Sequence, residues 1–186
     1  MSLPTVVPTI DAQRVRLRAL SLEDADDMHP IYSDQATMKY WGVAPTKSIA
    51  ETRQLVLRDL KAVEKGQALF WAIVLVESDK VIGKCTLWQF SERNLRAEVG
   101  YVLRREYWRG GLMTEALRAM LGYAFSTLGL HRLEADTDDN NVASLALLEK
   151  LGFEREGFFR ERWLVSGNWQ HSVMLGLLKP DWLKRQ

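Results

Sequence analysis

Apolar and polar residues alternate over residues 14–20, where Arg-Val-Arg-Leu-Arg-Ala-Leu predicts a strand with one wet face. Ser21-Leu22-Glu23-Asp24 then offers a serine cap and early carboxylates, which predicts a short helix towards Tyr32. Ser48-Ile49-Ala50-Glu51 has capping-box spacing, and a second helix is predicted to run to Lys65 and stop before Gly66. The period then shortens. Residues 70–76 and 81–90 are β-rich runs joined by Glu77-Ser78-Asp79-Lys80, a hairpin pattern, and residues 97–103 make a third strand. Leu117, Met120, Leu121, Ala124 and Leu128 form a helical stripe over residues 114–128, with Gly129 as the stop. A short strand over 133–137 follows, then a helix over 142–151 capped by Asn141 and ended by Gly152. Residues 153–163 and 169–178 close the chain as a hairpin around Gly167-Asn168. Strands and helices alternate only in the second half, so the class is α/β (α+β), a mixed sheet with helices on its faces.

A length of 186 residues, 47% of them hydrophobic, fits one domain over residues 1–186 with its motifs within 14–179. Twenty-five basic residues against twenty-four acidic ones leave no global field for nucleic acid or an anionic membrane. Any anionic ligand must be held locally. Cys85 is the only cysteine, so no internal disulfide forms, and the isolated His29, His131 and His171 do not suggest a metal site. The longest apolar run, residues 68–76, is too short to span a bilayer, and no leader pattern is visible, so a cytoplasmic protein is expected.

Two stretches carry candidate chemistry. Tyr107-Trp108-Arg109-Gly110-Gly111-Leu112-Met113-Thr114-Glu115-Ala116 joins a strand to the strongest amphipathic helix. Paired glycines let a backbone approach a ligand, and first-turn N–H groups at a helix start suit phosphate or pyrophosphate. A plain Gly-Gly connection accounts for the same residues. Asn141 and Ser144 sit at cap spacing, which completes a helix end or sets two polar groups beside whatever the glycine turn binds. Gly83-Lys84-Cys85 lacks the rest of a P-loop, no G-x-G-x-x-G follows a strand, and no G-x-S-x-G elbow exists. Of the seven tryptophans, Trp41, Trp88 and Trp163 are candidates to line an acceptor pocket, with core or rim packing as the alternative.

In order and spacing these pieces resemble the GNAT acyltransferases, and within them the RimJ/RimL-type branch that includes ribosomal-protein alanine N-acetyltransferases. The resemblance is carried by Arg14-Val15-Arg16-Leu17-Arg18, Leu22-Glu23-Asp24-Ala25, Val81-Ile82-Gly83-Lys84 and Glu98-Val99-Gly100-Tyr101-Val102-Leu103. It continues through residues 107–117, Asn141-Val142-Ala143-Ser144, Leu148-Glu149-Lys150-Leu151-Gly152-Phe153, Glu156-Gly157 and Gly167-Asn168-Trp169. The family's glycine loop, Gln/Arg-x-x-Gly-x-Gly/Ala, falls on residues 108–113; Gly111 fits, while Trp108 and Met113 depart from it.

The resemblance implies a single domain whose mostly antiparallel sheet is splayed between its fourth and fifth main strands. It implies acetyl-coenzyme A as cosubstrate, no metal, and direct transfer to an amine in a ternary complex. The pantetheine arm would pair with the edge of Tyr101, Val102 and Leu103, and the pyrophosphate would meet Arg109, Gly110, Gly111, Leu112, Met113 and Thr114, with Lys150 or Arg109 near the phosphates. Asn141 would position the pantetheine and Ser144 would serve the leaving thiolate. Many relatives carry a tyrosine acid at the position of Leu148, which this chain lacks. Glu98 is the first candidate base and Asp136 the second; each is also readable as a solvated strand carboxylate. Glu156 and Glu161 are weaker candidates, and His171 stands where the closing hairpin usually has an aspartate. The acceptor is a protein N-terminal α-amine on the first reading, with a small amine (polyamine, amino acid, aminoglycoside) as the rival. A non-catalytic coenzyme A-binding module is a further class. Monomer and homodimer are both compatible.

Overall fold

The predicted alternation at residues 14–20 becomes β2 (Val15–Ala19), whose Val15 and Leu17 are buried between exposed or half-buried arginines. The computed structural model describes residues 3, 4, 6–165 and 167–185. A two-residue strand, β1 (Ile10–Asp11), precedes β2, and a 3-10 turn at Leu22–Asp24 leads into α1 (Ala25–Tyr32). A short α2 (Gln35–Met38) follows, and then α3 (Ile49–Glu64), whose start is capped by Ser48 accepting from the Glu51 N–H. Next come β3 (Ala68–Leu75), β4 (Lys80–Ser91), β5 (Arg96–Leu103) and α4 (Leu112–Ser126). The chain closes with β6 (Arg132–Asp138), α5 (Val142–Leu151), β7 (Glu154–Val165), β8 (Asn168–Leu178) and α6 (Lys179–Leu183). The predicted helix over 114–128 starts two residues early, because Gly111 takes the left-handed conformation and acts as its N-cap.

The strands form one eight-stranded sheet in the order β1-β2-β3-β4-β5-β6-β8-β7, an open sheet with β7 at its far edge. All pairings are antiparallel except β5 with β6. That parallel register covers only Arg96↔Arg132, Ala97↔Leu133 and Glu98↔Glu134, after which the two strands part.

Strand alternation separates two chemistries across the sheet. Leu69, Trp71 and Ile73 of β3, Ala97 and Val99 of β5, and Leu133 and Ala135 of β6 join the main core with α4 and α5. Ala72, Val74 and Val102 face the other way, onto α1 and α3. Glu98 and Gly100 share the parity of Val102, and Asp136 has the parity opposite to Ala135. The carboxylates therefore lie on the α3 side of the gap. Among the described residues no helix is long and apolar enough to cross a membrane.

Candidate active site

The glycine turn is built from two left-handed residues, Arg109 (φ 63°) and Gly111 (φ 79°). Arg109, Gly110 and Gly111 are exposed, whereas Leu112 and Met113 are buried in the core. Met113 thus departs from the small residue of the loop pattern without crowding the turn, since its side chain packs inward. No side chain caps the start of α4, so its first-turn N–H groups remain at the positive end of the helix. Arg14 braces the turn from below. Its Nη1 donates to Gly110 O (3.0 Å), its Nε to Glu115 Oε2 (2.8 Å) and its main-chain N–H to Glu115 Oε1 (2.5 Å). Partial burial works to raise the Glu115 carboxyl, yet these bonds prevail and hold it below the ordinary carboxylate range. Thr114 is half-buried beside the turn, and Lys150 is exposed at the end of α5.

Beyond Glu98 the parted strands expose main-chain groups. Arg104 N–H donates to Ile82 O (2.8 Å), and the register continues as Lys84↔Val102 and Thr86↔Gly100. By alternation, Val102 and Gly100 give their main-chain groups to β4, while Tyr101 and Leu103 turn theirs to the gap. Within the edge expected over Tyr101, Val102 and Leu103, Val102 is a ladder residue with a buried side chain. Leu103 keeps its N–H on the gap side, its carbonyl accepting from Trp108 Nε1 (2.7 Å). Trp108, another departure from the loop pattern, thereby ties the strand end to the glycine turn.

Asn141 caps α5, its Oδ1 accepting from the Ser144 N–H (3.2 Å). Ser144 Oγ lies 2.5 Å from the Tyr101 hydroxyl, which burial raises to about 12 despite that bond. A phenol so placed stays protonated near neutrality. The sequence pointed to Tyr101 only for its main chain, because its reach across to α5 depends on how the helix docks. Leu148 is fully buried in the core, one turn along α5 from Ser144.

A cleft of about 340 Å³ runs through the gap between the two faces, lined by Glu98 and Tyr101 of β5, Asp136 and Asp138 of β6, and Asn141 and Ser144 of α5. Tyr40, Trp41 and Val43 after α2, together with Phe70 and Trp88, supply an aromatic and apolar wall. Trp163, by contrast, is outside this lining and about half exposed. Burial, and then the neighbouring carboxylates Asp136 and Glu134, raise Glu98 to about 7, against the pull of Arg162 and Arg96. Asp136 accepts from Arg162 Nε at Oδ2 (2.8 Å), while its other oxygen, Oδ1, is buried without a partner among the described residues. Glu156 is instead tied to Arg132, and Glu161 lies exposed on β7. At the far wall, Lys84 Nζ donates to Asp59 Oδ2 (2.5 Å) within a cage of Tyr32, Trp41 and Phe70 rings. Burial pushes the Cys85 thiol well above its ordinary value, so it is a packed side chain rather than a nucleophile.

Residues 14–154 match the acetyltransferase (GNAT) domain. The chain belongs to the GNAT acetyltransferase family. An uncharacterised N-acetyltransferase, p20, from Bacillus licheniformis is 34% identical over 94% of this GNAT chain and 98% of its own. The [ribosomal protein uS5]-alanine N-acetyltransferase of Escherichia coli is 31% identical over 64% of this chain and 62% of its own. The spermidine N(1)-acetyltransferase of the same organism is 26% identical over 92% and 90%. A GNAT-family acetyltransferase crystal structure from Bacillus anthracis superposes with a TM-score of 0.83 at 25% identity, covering 93% of this chain and 99% of that one. The open sheet with its parted fourth and fifth main strands is thus the GNAT fold, as the resemblance implied.

Proposed function

We propose that this protein transfers an acetyl group from acetyl-coenzyme A to the α-amine of a protein or peptide N-terminus, directly and without an acyl-enzyme. The observation that carries this reading is the place of Glu98, a half-buried carboxyl lining the cleft with Asp136 and Ser144 at the point where the strands part, with burial and the neighbouring carboxylates raising it to about 7. Such a group is matched to a proton whose donor titrates close by. An α-ammonium has a pKa of about 7.7–8.0, so Glu98 takes its proton nearly without a penalty. An alkyl ammonium like that of lysine, at about 10.4, would be roughly 250–500 times harder to deprotonate.

Acetyl-coenzyme A supplies an activated thioester. The residues at hand suit it: uncapped N–H groups from Arg109 to Thr114 for the pyrophosphate, and the gap-side main chain of Tyr101 and Leu103 for the pantetheine. Either N–H on that edge can donate to the developing oxyanion. Glu98 accepts a proton from the acceptor ammonium. Once Glu98 has passed that proton to solvent, the amine nitrogen bonds to the carbonyl carbon and the carbon–sulfur bond breaks; the surplus proton on nitrogen goes to Glu98, while the Tyr101–Ser144 hydroxyl pair gives a proton to the leaving sulfur and regains one from water. The buried Cys85 has no part in this route.

The polyamine reading is supported by the likeness to the 26% identical spermidine N(1)-acetyltransferase. A competition assay decides between them. Acetylation of an alanine-ended peptide in preference to equimolar spermidine at pH 7.5 is the expected result. Turnover of spermidine alone would replace the acceptor, and acetyl-coenzyme A binding without turnover of any amine would leave only a binding module.

A further inference from the structure

Arg162 and Asp136 meet although their strands are not neighbours. The order β6-β8-β7 places β8 between them, a separation of about 10 Å at ordinary strand spacing. The β7–β8 ladder is interrupted there: Phe159 pairs with Ser172 and Trp163 with Gln170, so three β7 residues stand against His171 alone. Glu161, inside this bulge, holds the left-handed φ of 51° without being glycine. Its N–H donates to His171 Nδ1 (2.9 Å), replacing the ladder bond that the bulge removes. The Arg162 guanidinium lies over the rings of Phe159 (4.8 Å) and Trp163 (5.3 Å) and reaches Asp136 Oδ2 with Nε. Strain, a side-chain acceptor and two aromatic faces all fix one side chain. A bulge next to a cleft commonly serves to re-aim such a group.

The target is unusual as well. The Asp136 side chain is only 7% exposed and lines the cleft beside Glu98, yet only Oδ2 is bonded. A buried carboxylate oxygen without a donor is costly unless a ligand brings one. We propose that Arg162 is a positioning residue of the acceptor site, clamping one oxygen of Asp136 so that the other receives the acceptor's ammonium alongside Glu98. This rests on the amine-acceptor reading above. A primary ammonium has three donors, enough for Asp136 Oδ1 and Glu98 together. Facing Glu98 are Asp136 and Glu134 from β6, Arg162 from β7, Arg96 on its own strand, and the Asp59–Lys84 pair across the cleft. Arg162 supplies the positive charge from the hairpin.

Arg162→Met and Arg162→Lys test this. In the methionine variant the acceptor KM is expected to rise about tenfold with the acetyl-coenzyme A KM unchanged, since only the acceptor's partner is released. The acid limb of kcat/KM should move up by about one pH unit, because a cation that favours ionised Glu98 is gone. Lysine restores the limb but not the full acceptor KM, lacking the planar fork. Parent-like KM and pH limb in Arg162→Met, or equal rises in both KM values, would overturn the proposal. Should the methionine variant fail to fold, a lysine variant with parental acceptor KM would do the same. Titration of the Glu98 carboxyl carbon by NMR, without any substrate, adds an arm independent of turnover. An upward shift in Arg162→Met is expected even if the acceptor reading fails, and an unmoved titration sinks the role of Arg162 while leaving transfer intact.

Discussion

Glu98 and Tyr101 stand three residues apart on one strand and point to opposite faces, one able to take a proton and the other able to give it. Glu98→Gln should lower kcat/KM by about 100-fold or more, the usual contribution of a positioned base. It should also reveal the cost of burying the carboxylate. The Glu98 carboxyl is raised from 4.5 to about 7 in the fold, so the neutral form is favoured there. Its stabilising contribution is complete below the unfolded value and is lost as pH rises through 7. Thermal melts are therefore expected to show Glu98→Gln more stable than the parent at pH 8, with the difference vanishing near pH 4. Tyr101→Phe should lower kcat by about tenfold or more with little change in the acetyl-coenzyme A KM, as measured by initial rates. A phenol near 12 adds no basic limb to the parent profile below pH 11.

Turns decide how well the elements match their patterns. The helix over Val142–Leu151 appears where Asn141 and Gly152 bracket it, and Gly152 takes φ 102°, a cap glycine doing what the sequence indicates. Glycine 111 works at the opposite end of a helix. Gly111→Val forces a β-branched side chain to φ 79° at the N-cap of α4. Coenzyme A affinity should fall at least about tenfold by calorimetry while far-UV dichroism is retained, as strain of about 1–3 kcal/mol displaces the turn. The short elements β1, α2 and α6 have no periodic signal to read, since two to five residues do not complete a pattern. Periodicity likewise points Val102 and Tyr101 to opposite faces but does not say which main-chain groups meet β4; that required the Arg104–Ile82 bond. The Arg162 bulge was hidden for the same reason. Nothing in Phe159-Arg160-Glu161-Arg162-Trp163 marks an interrupted ladder, and no glycine supplies the left-handed residue.

Across the molecule, the sheet separates the residues proposed to hold the nucleotide thioester from those proposed to hold the amine. The glycine turn and α5 stand on the core side, the carboxylates and the aromatic wall on the α3 side, and the gap between β5 and β6 joins them. Lys84 and Asp59 tie α3 to β4 at the cleft's far wall, each side chain under 5% exposed. Lys84→Met, which leaves Asp59 buried without its partner, should cost about 3–5 kcal/mol in denaturant unfolding, and pairing it with Asp59→Asn should recover much of that loss. The fold, the glycine turn and the capped helix were readable because backbone geometry demands particular residues there. The acceptor side depends on long-range approach among β5, β6 and β7, which no local pattern encodes. The pH dependence of kcat/KM for transfer from acetyl-coenzyme A to an alanine-ended peptide, in the parent and in Glu98→Gln, bears most directly on the chemistry. An acid limb near pH 7 in the parent that disappears in the much slower variant is the expected result. Equal rates with the same limb in both proteins would show that Glu98 is not the group that takes the proton.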